Sequence, residues 1–225
     1  MNSELPEGYL YPNDAFLIFN SNRPNQIQPF VVDLHLHYRL KRKHNVLLIL
    51  LSNDWEHTNS VAAKLGINLS IYKQNGLLDY VDLFDLMKND SKIDVDWSLL
   101  KKIILDKINN LPENSYVIFD DLTLFYVIHP KPNEIYIFFD NVLKVLMKKQ
   151  CSALIASAVE IEDERVDAHT QMLKYLCDVW IDCGAAKSGF SKNFDGIIKC
   201  CDMRTNSMVC ANYKLQLRSV VFSNI

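Results

Sequence analysis

The sequence predicts an α/β fold: a mostly parallel sheet with helices on both faces and antiparallel strands at its C-terminal end. Three observations predict it. Short apolar runs alternate with helix-period segments through most of the chain. Those runs, such as "NVLLILLS" (45–52) and "CSALIASA" (151–158), are continuously apolar, as strands buried on both faces require. After "AHTQMLKYLCD" the helical period stops, and strand follows strand. At 225 residues the simplest division is one large domain over 1–225.

The elements follow in order. "AFLIF" (15–19) opens as a strand, and after "NSNRPNQIQ" a helix runs from Pro29 to about Lys43. Proline at its start and "RLKRK" at its end fit helix-terminus chemistry. Residues 45–52 form the second strand. "NDWEHTNSVAAKLG" is a helix capped by Asn53 or Asp54 and stopped by Gly66. "LLDYVDLF" (77–84) reads as a strand. A helix over 97–109 puts Leu100, Ile103, Ile104 and Ile108 on one face. The next strand, from Tyr116, ends at Asp120 and Asp121. After "HPKPNE" a helix runs to about Lys149, with Ile135, Phe138, Phe139, Val142 and Leu146 in register. Strand 151–158, an acidic stretch "EIEDERVD" and the helix "AHTQMLKYLCD" come next. "VWIDCG", "GIIKCC" and "NYKLQLRSVVF" close the chain as strands, with Asp195–Gly196 as a hairpin turn.

Composition narrows the function. Hydrophobic residues make up 49% and charged residues 23%, the ordinary globular balance. A net charge of −3 argues against a chain that grips many phosphates alone. "MNSELPEG" lacks the basic start and apolar core of a secretory leader. The longest strongly apolar run, Val46 to Leu51, falls far short of the roughly 20 residues that span a bilayer. The expectation is a soluble intracellular protein. None of the six cysteines stands in a C-x-x-C pair, so buried reduced thiols fit better than zinc. His35 and His37 are two apart, which is the wrong spacing to share a helix face.

In nucleotide hydrolases a buried strand ending in a carboxylate holds magnesium beside phosphate, which makes Asp120 and Asp121 the candidate acidic site. The matching phosphate loop would follow the first strand as G-x-x-x-x-G-K-[ST], with glycines for the cradle and lysine for the charge. That position reads "FNSNRPNQIQPF". No glycine lies between Gly8 and Gly66, and no lysine precedes Lys41 at the far end of the helix. Pro24 and Pro29 remove two backbone donors, and Arg23 is the one cation in the loop. "GAAKSG" (184–189) has the wrong glycine spacing and precedes a hairpin rather than a helix. The acidic pair therefore stands without its partners, and Asp121 is equally suited to cap a turn. Ser157 ends a strand with no G-x-S-x-G elbow around it. The cluster Arg39, Lys41, Arg42 and Lys43 either meets RNA phosphates or answers its own helix dipole. No catalytic residue, cofactor or metal is expected.

The order and spacing of several segments resemble one family from about residue 12 onward: subunit six of the Elongator complex. They are "VAAKLGINLS", "VIFDDLTLF", "SALIASAVEIEDERVD", "DCGAAKSGFSKNFDGIIK" and "YKLQLRSVVF". The resemblance implies a RecA-like three-layer domain with its P-loop lost. It also implies assembly with Elongator subunits four and five in a hetero-hexameric ring. Such a ring binds tRNA, docks on the catalytic Elongator subcomplex and supports wobble-uridine modification. On this view the chain is a non-catalytic scaffold. Arg23, Arg39, Lys41, Arg42 and Lys43 then stand as possible RNA or subunit contacts. Two other readings remain: a RecA-fold ATPase with an unconventional site built on Asp120 or Asp121 and an arginine, and a recombinase-like paralogue.

Overall fold

The computed structural model describes residues 16–21, 28–88, 96–128, 131–157, 172–185, 192–216 and 220–224. Strand β1 (Phe16–Ser21) precedes helix α1 (Gln28–Lys41), strand β2 (Val46–Leu50), helices α2 (Trp55–Lys64) and α3 (Leu69–Gln74), and strand β3 (Leu78–Asp82). Helices α4 (Leu83–Lys88) and α5 (Trp97–Asn109) lead to β4 (Tyr116–Phe119). Then come α6 (Thr123–Ile128), α7 (Pro132–Lys148) and β5 (Ser152–Ser157). Four strands finish the chain: β6 (Val179–Ala185), β7 (Gly196–Asp202), β8 (Ser207–Leu215) and β9 (Val220–Asn224).

These strands form one sheet in the order β3-β2-β4-β5-β1-β6-β7-β8-β9. Pairing is parallel from β3 through β6 and antiparallel from β6 to β9. The expected architecture is therefore present. Its physical basis is the strand period of two, which sends successive side chains to opposite faces. Leu48, Leu50, Tyr116, Ile118, Leu154 and Ala156 pack with Val32, Leu36 and Leu40 of α1. Leu47, Ile49, Val117, Phe119, Ala153 and Ile155 pack with Leu100, Ile104 and Ile108 of α5 and with the buried stripe of α7. That stripe includes Ile135, Phe138, Phe139, Val142 and Leu146, the register read from the sequence.

Local chemistry sets the boundaries. The cap of α2 is Asp54, whose carboxylate accepts the His57 N–H at 2.8 Å. Gly66 ends that helix region with a φ of 84°, a conformation that costs other residues energy. Asp96 caps α5 by accepting the Ser98 N–H at 2.8 Å.

Two expectations need correction, and three short helices are new. Asp195–Gly196 is not the hairpin turn. Gly196 is the first residue of β7 and pairs with Ala185 and Tyr213. A Cβ there would run into the Gly184 carbonyl and the Tyr213 ring, so the glycine serves close approach rather than a bend. The tight turn lies at 203–206 between β7 and β8. There Asp202 accepts the Arg204 and Thr205 N–H groups, and Asn206 has a φ of 54°. "NYKLQLRSVVF" is not one strand but the end of β8 and the start of β9. The short helices α3, α4 and α6 were not anticipated. Each has six residues, too few for a periodic signal, and short helices depend on packing and caps. The acidic stretch 160–167 lies outside the described residues. So does most of the helix expected over 168–178, of which only 172–174 is described as helical.

Candidate functional site

The carboxyl edge of the parallel strands is where ligands of such sheets bind. Strand β5 lies between β1 and β4, so Asp120 and Asp121 sit one strand removed from the turn that would hold phosphate. That turn, residues 22–27 with Arg23, lies outside the described residues.

Asp120 is 7% exposed and is committed to the neighbouring strand. It accepts the Leu51 N–H at 2.7 Å, the Ser52 N–H at 3.2 Å and the Ser52 hydroxyl at 3.0 Å. Burial pushes its pKa up to about 6, while those donors pull it down and Asp121 pushes it further up. Asp121 accepts the Thr123 N–H at 2.8 Å, the turn-capping role open to it from the sequence. A third carboxylate, missed in the sequence, works the same way at the end of β3. Asp82 accepts the Trp55 N–H at 2.7 Å and the Phe84 N–H at 2.8 Å. Its signal was present in "DYVDLF", a strand ending in an acid just as "VIFDD" does.

The chemistry at the end of β2 is the inverse of a phosphate cradle. A cradle turns backbone N–H groups outward to an anion. Here the N–H groups of Leu51, Ser52 and Trp55 are occupied by the chain's own carboxylates.

Beside Asp120 lies a cleft of about 170 Å³. Among the described residues its lining is Val32, Asp33, Leu48, Leu50, Ser52, Asn53, His57, Thr58, Val61, Asp120 and Asp121. This lining contains three carboxyls and neither lysine nor arginine. The volume is below the roughly 300–1,000 Å³ of sites that enclose drug-sized ligands. Asp33 was also missed. It sits three residues before Leu36 and seven before Leu40, on the buried face of α1, and burial pushes its pKa up to about 7. An acid at a core-facing helical position was the available signal. Among the described residues no group of three His, Cys, Asp or Glu side chains is placed to hold a metal ion.

The basic cluster divides. Arg39 is 1% exposed, with its guanidinium 4.1 Å from the centre of the Tyr116 ring. It is enclosed in the core, so its place among RNA or subunit contacts is corrected: the helix period turns residue 39 inward with Leu36 and Leu40. Lys41, Arg42 and Lys43 are exposed at the far end of α1, with Arg42 stacked 3.7 Å over Tyr38. The six cysteines are free thiols, and burial raises Cys177 and Cys200 to about 12. Ser157 is buried at the end of β5. "GAAKSG" begins at the end of β6, which pairs antiparallel with β7, so a hairpin rather than a helix follows it.

Replacing Asp120 separates its roles. Asp120→Asn keeps an acceptor for the Leu51 N–H, whereas Asp120→Ala orphans that donor at a residue with 0% exposure. Urea unfolding should find the alanine variant less stable than the asparagine variant by about 1–3 kcal/mol. Equal stabilities would contradict the structural role.

Sheet order, flanking helices and a strand-end acid define the RecA-like class of nucleotide-hydrolase folds. Within that class a family model described as "ATPase: KaiC" matches residues 35–218, more than half of the chain, and the chain belongs to that family. A solved relative in structure is a KaiC-like protein, PH0186, from Pyrococcus horikoshii OT3, with a TM-score of 0.66 and 10% identity. The match covers 92% of this chain and 89% of that one, and at this identity it speaks for the fold. No curated protein matches in a direct sequence comparison. Among the described residues no helix is long and apolar enough to cross a membrane.

Proposed function

We propose that this chain is a non-catalytic structural subunit of a hetero-hexameric RecA-like ring, the counterpart of Elongator subunit six. It assembles with two related subunits, those of the types of Elongator subunits four and five. The ring holds tRNA beside the catalytic Elongator subcomplex during wobble-uridine modification. One observation carries the non-catalytic part: the segment from the end of β1 onward, where a phosphate loop would stand, reads "NSNRPNQIQ" and has neither the glycines nor the lysine of a triphosphate cradle. The named partners rest on the sequence resemblance. A fold that has lost its phosphate chemistry still has subunit-facing surfaces, and head-to-tail contacts between related subunits close into rings. At a net charge of −3 the lone chain is a poor grip for tRNA, but surface cations such as Lys41, Arg42 and Lys43 add up across six subunits.

The test is a native mass measurement of the chain expressed with and without the two related subunits. A hexamer containing all three, with salt-sensitive tRNA affinity absent from the lone chain, is the expected result. A monomer indifferent to both would end this reading. Membership of an ATPase family favours a second one, hydrolysis at an unconventional site. Turnover by the purified chain that disappears in the Asp120→Asn/Asp121→Asn double variant would establish it.

A further inference from the structure

The cleft beside Asp120 has a composition that no phosphate reading uses. Asp33 is 9% exposed and is one of the residues that line the cleft. Asp120, Asp121 and Asp82 are all bound to backbone N–H groups, whereas no described donor reaches Asp33. A largely buried carboxyl beside a cleft, with no protein donor among the described residues, is an acceptor that a cation entering the cleft would pair with. We propose that this cleft receives the guanidinium-tipped side chain of an arginine from a partner protein.

The other ligand classes fit poorly. Phosphate would meet Asp33, Asp120 and Asp121 with no cation in the described lining. A divalent metal needs several ligands together, and no such group exists among the described residues. A basic side chain has an apolar stem and a charged tip, and the cleft has both counterparts. Val32, Leu48, Leu50 and Val61 are walls for a methylene stem, and Asp33 and Asp121 are acceptors for the tip. At about 170 Å³ the space suits one long side chain rather than a nucleotide. Guanidinium fits better than ammonium, because its planar fork of five donors serves several acceptors at once.

The inference rests on reading the chain as an assembly subunit, and its test separates the two. The full chain at pH 8 is titrated with arginine methyl ester, lysine methyl ester and the uncharged citrulline methyl ester. Binding is followed by the Asp33 carboxyl carbon resonance and by thermal melting. The arginine ester should bind at least about tenfold more tightly than the citrulline ester, a difference of about 1.4 kcal/mol. It should also bind more tightly than the lysine ester. Asp33→Asn should lose that preference and weaken assembly with partner subunits. Equal binding of the arginine and citrulline esters, or a preference surviving in Asp33→Asn, overturns the cationic site. Ester binding lost while assembly is unchanged overturns the partner-protein source and leaves a site for a free small cation. A chain that prefers the arginine ester but never assembles sinks the ring reading instead.

Discussion

Asp33→Asn makes the chain more stable at pH 8, and by much less at pH 5. The sign follows from burial. The Asp33 carboxyl has its folded-state pKa pushed up to about 7, from an ordinary value of 3.8. Below about pH 4 it is protonated whether the chain is folded or not, and it costs nothing. As pH rises toward 7 the unfolded chain ionises it readily and the folded chain resists, so folding stability falls. Above pH 7 the penalty is constant. Raising the carboxyl from 3.8 to about 7 sets a ceiling of about 4 kcal/mol. Asparagine has a similar shape and no charge to desolvate, so the variant escapes that loss. Urea unfolding of both proteins at pH 5 and pH 8 is the measurement. The gain should grow between the two, and parallel pH profiles would show that Asp33 is not enclosed as described. Asp120, raised to about 6, works in the same direction, so the variant retains part of the slope.

Phe139→Ala is the most damaging single truncation expected. The side chain is completely buried between α7 and the sheet. Its ring meets Phe119 at 5.2 Å, Phe138 at 5.3 Å and Phe125 at 5.8 Å between centroids. Truncation removes a large apolar surface and leaves a cavity whose walls are held by strand β4 and helix α7 from both sides. Such losses run to about 3–5 kcal/mol. For a chain of this size that lowers the melting temperature by roughly 6–20 °C. Phe139→Leu keeps much of the carbon but gives up edge-to-face pairs, each worth about 0.5–1.5 kcal/mol, so its loss should be clearly smaller. If Phe139→Leu melts with the unmodified chain, the ring contacts contribute nothing beyond volume; if it melts with Phe139→Ala, the retained carbon contributes nothing without them.

The two predictions differ in how visible their residues were beforehand. Phe139 was legible, because Ile135, Phe138, Phe139, Val142 and Leu146 repeat at helical spacing and the helix buries that stripe. The strand-end pair Asp120–Asp121 was legible for the same kind of reason, since an apolar run that stops at an acid must bring the acid to an edge. What the acid does there was not legible. Sixty-nine residues separate Asp120 from Leu51, and only pairing of β4 with β2 brings the carboxylate to that N–H. Asp33 was overlooked because a single carboxyl in "FVVDLHLH" leaves an otherwise helical pattern intact. Arg39 was assigned to the surface by its basic neighbours, whereas the stacked ring of Tyr116 gives it a place inside.

The sequence by itself determined the succession of strands and longer helices, the change from parallel to antiparallel pairing, and the lack of a P-loop pattern. All three are local: periodicity, composition and spacing are written within a few residues of one another. Tertiary structure alone decided that the edge carboxylates hold the backbone together, and that a small acidic cleft opens between α1 and α2. Those depend on which strands become neighbours, and hydrogen bonds between distant segments exist only once the sheet has brought donor and acceptor within about 3 Å.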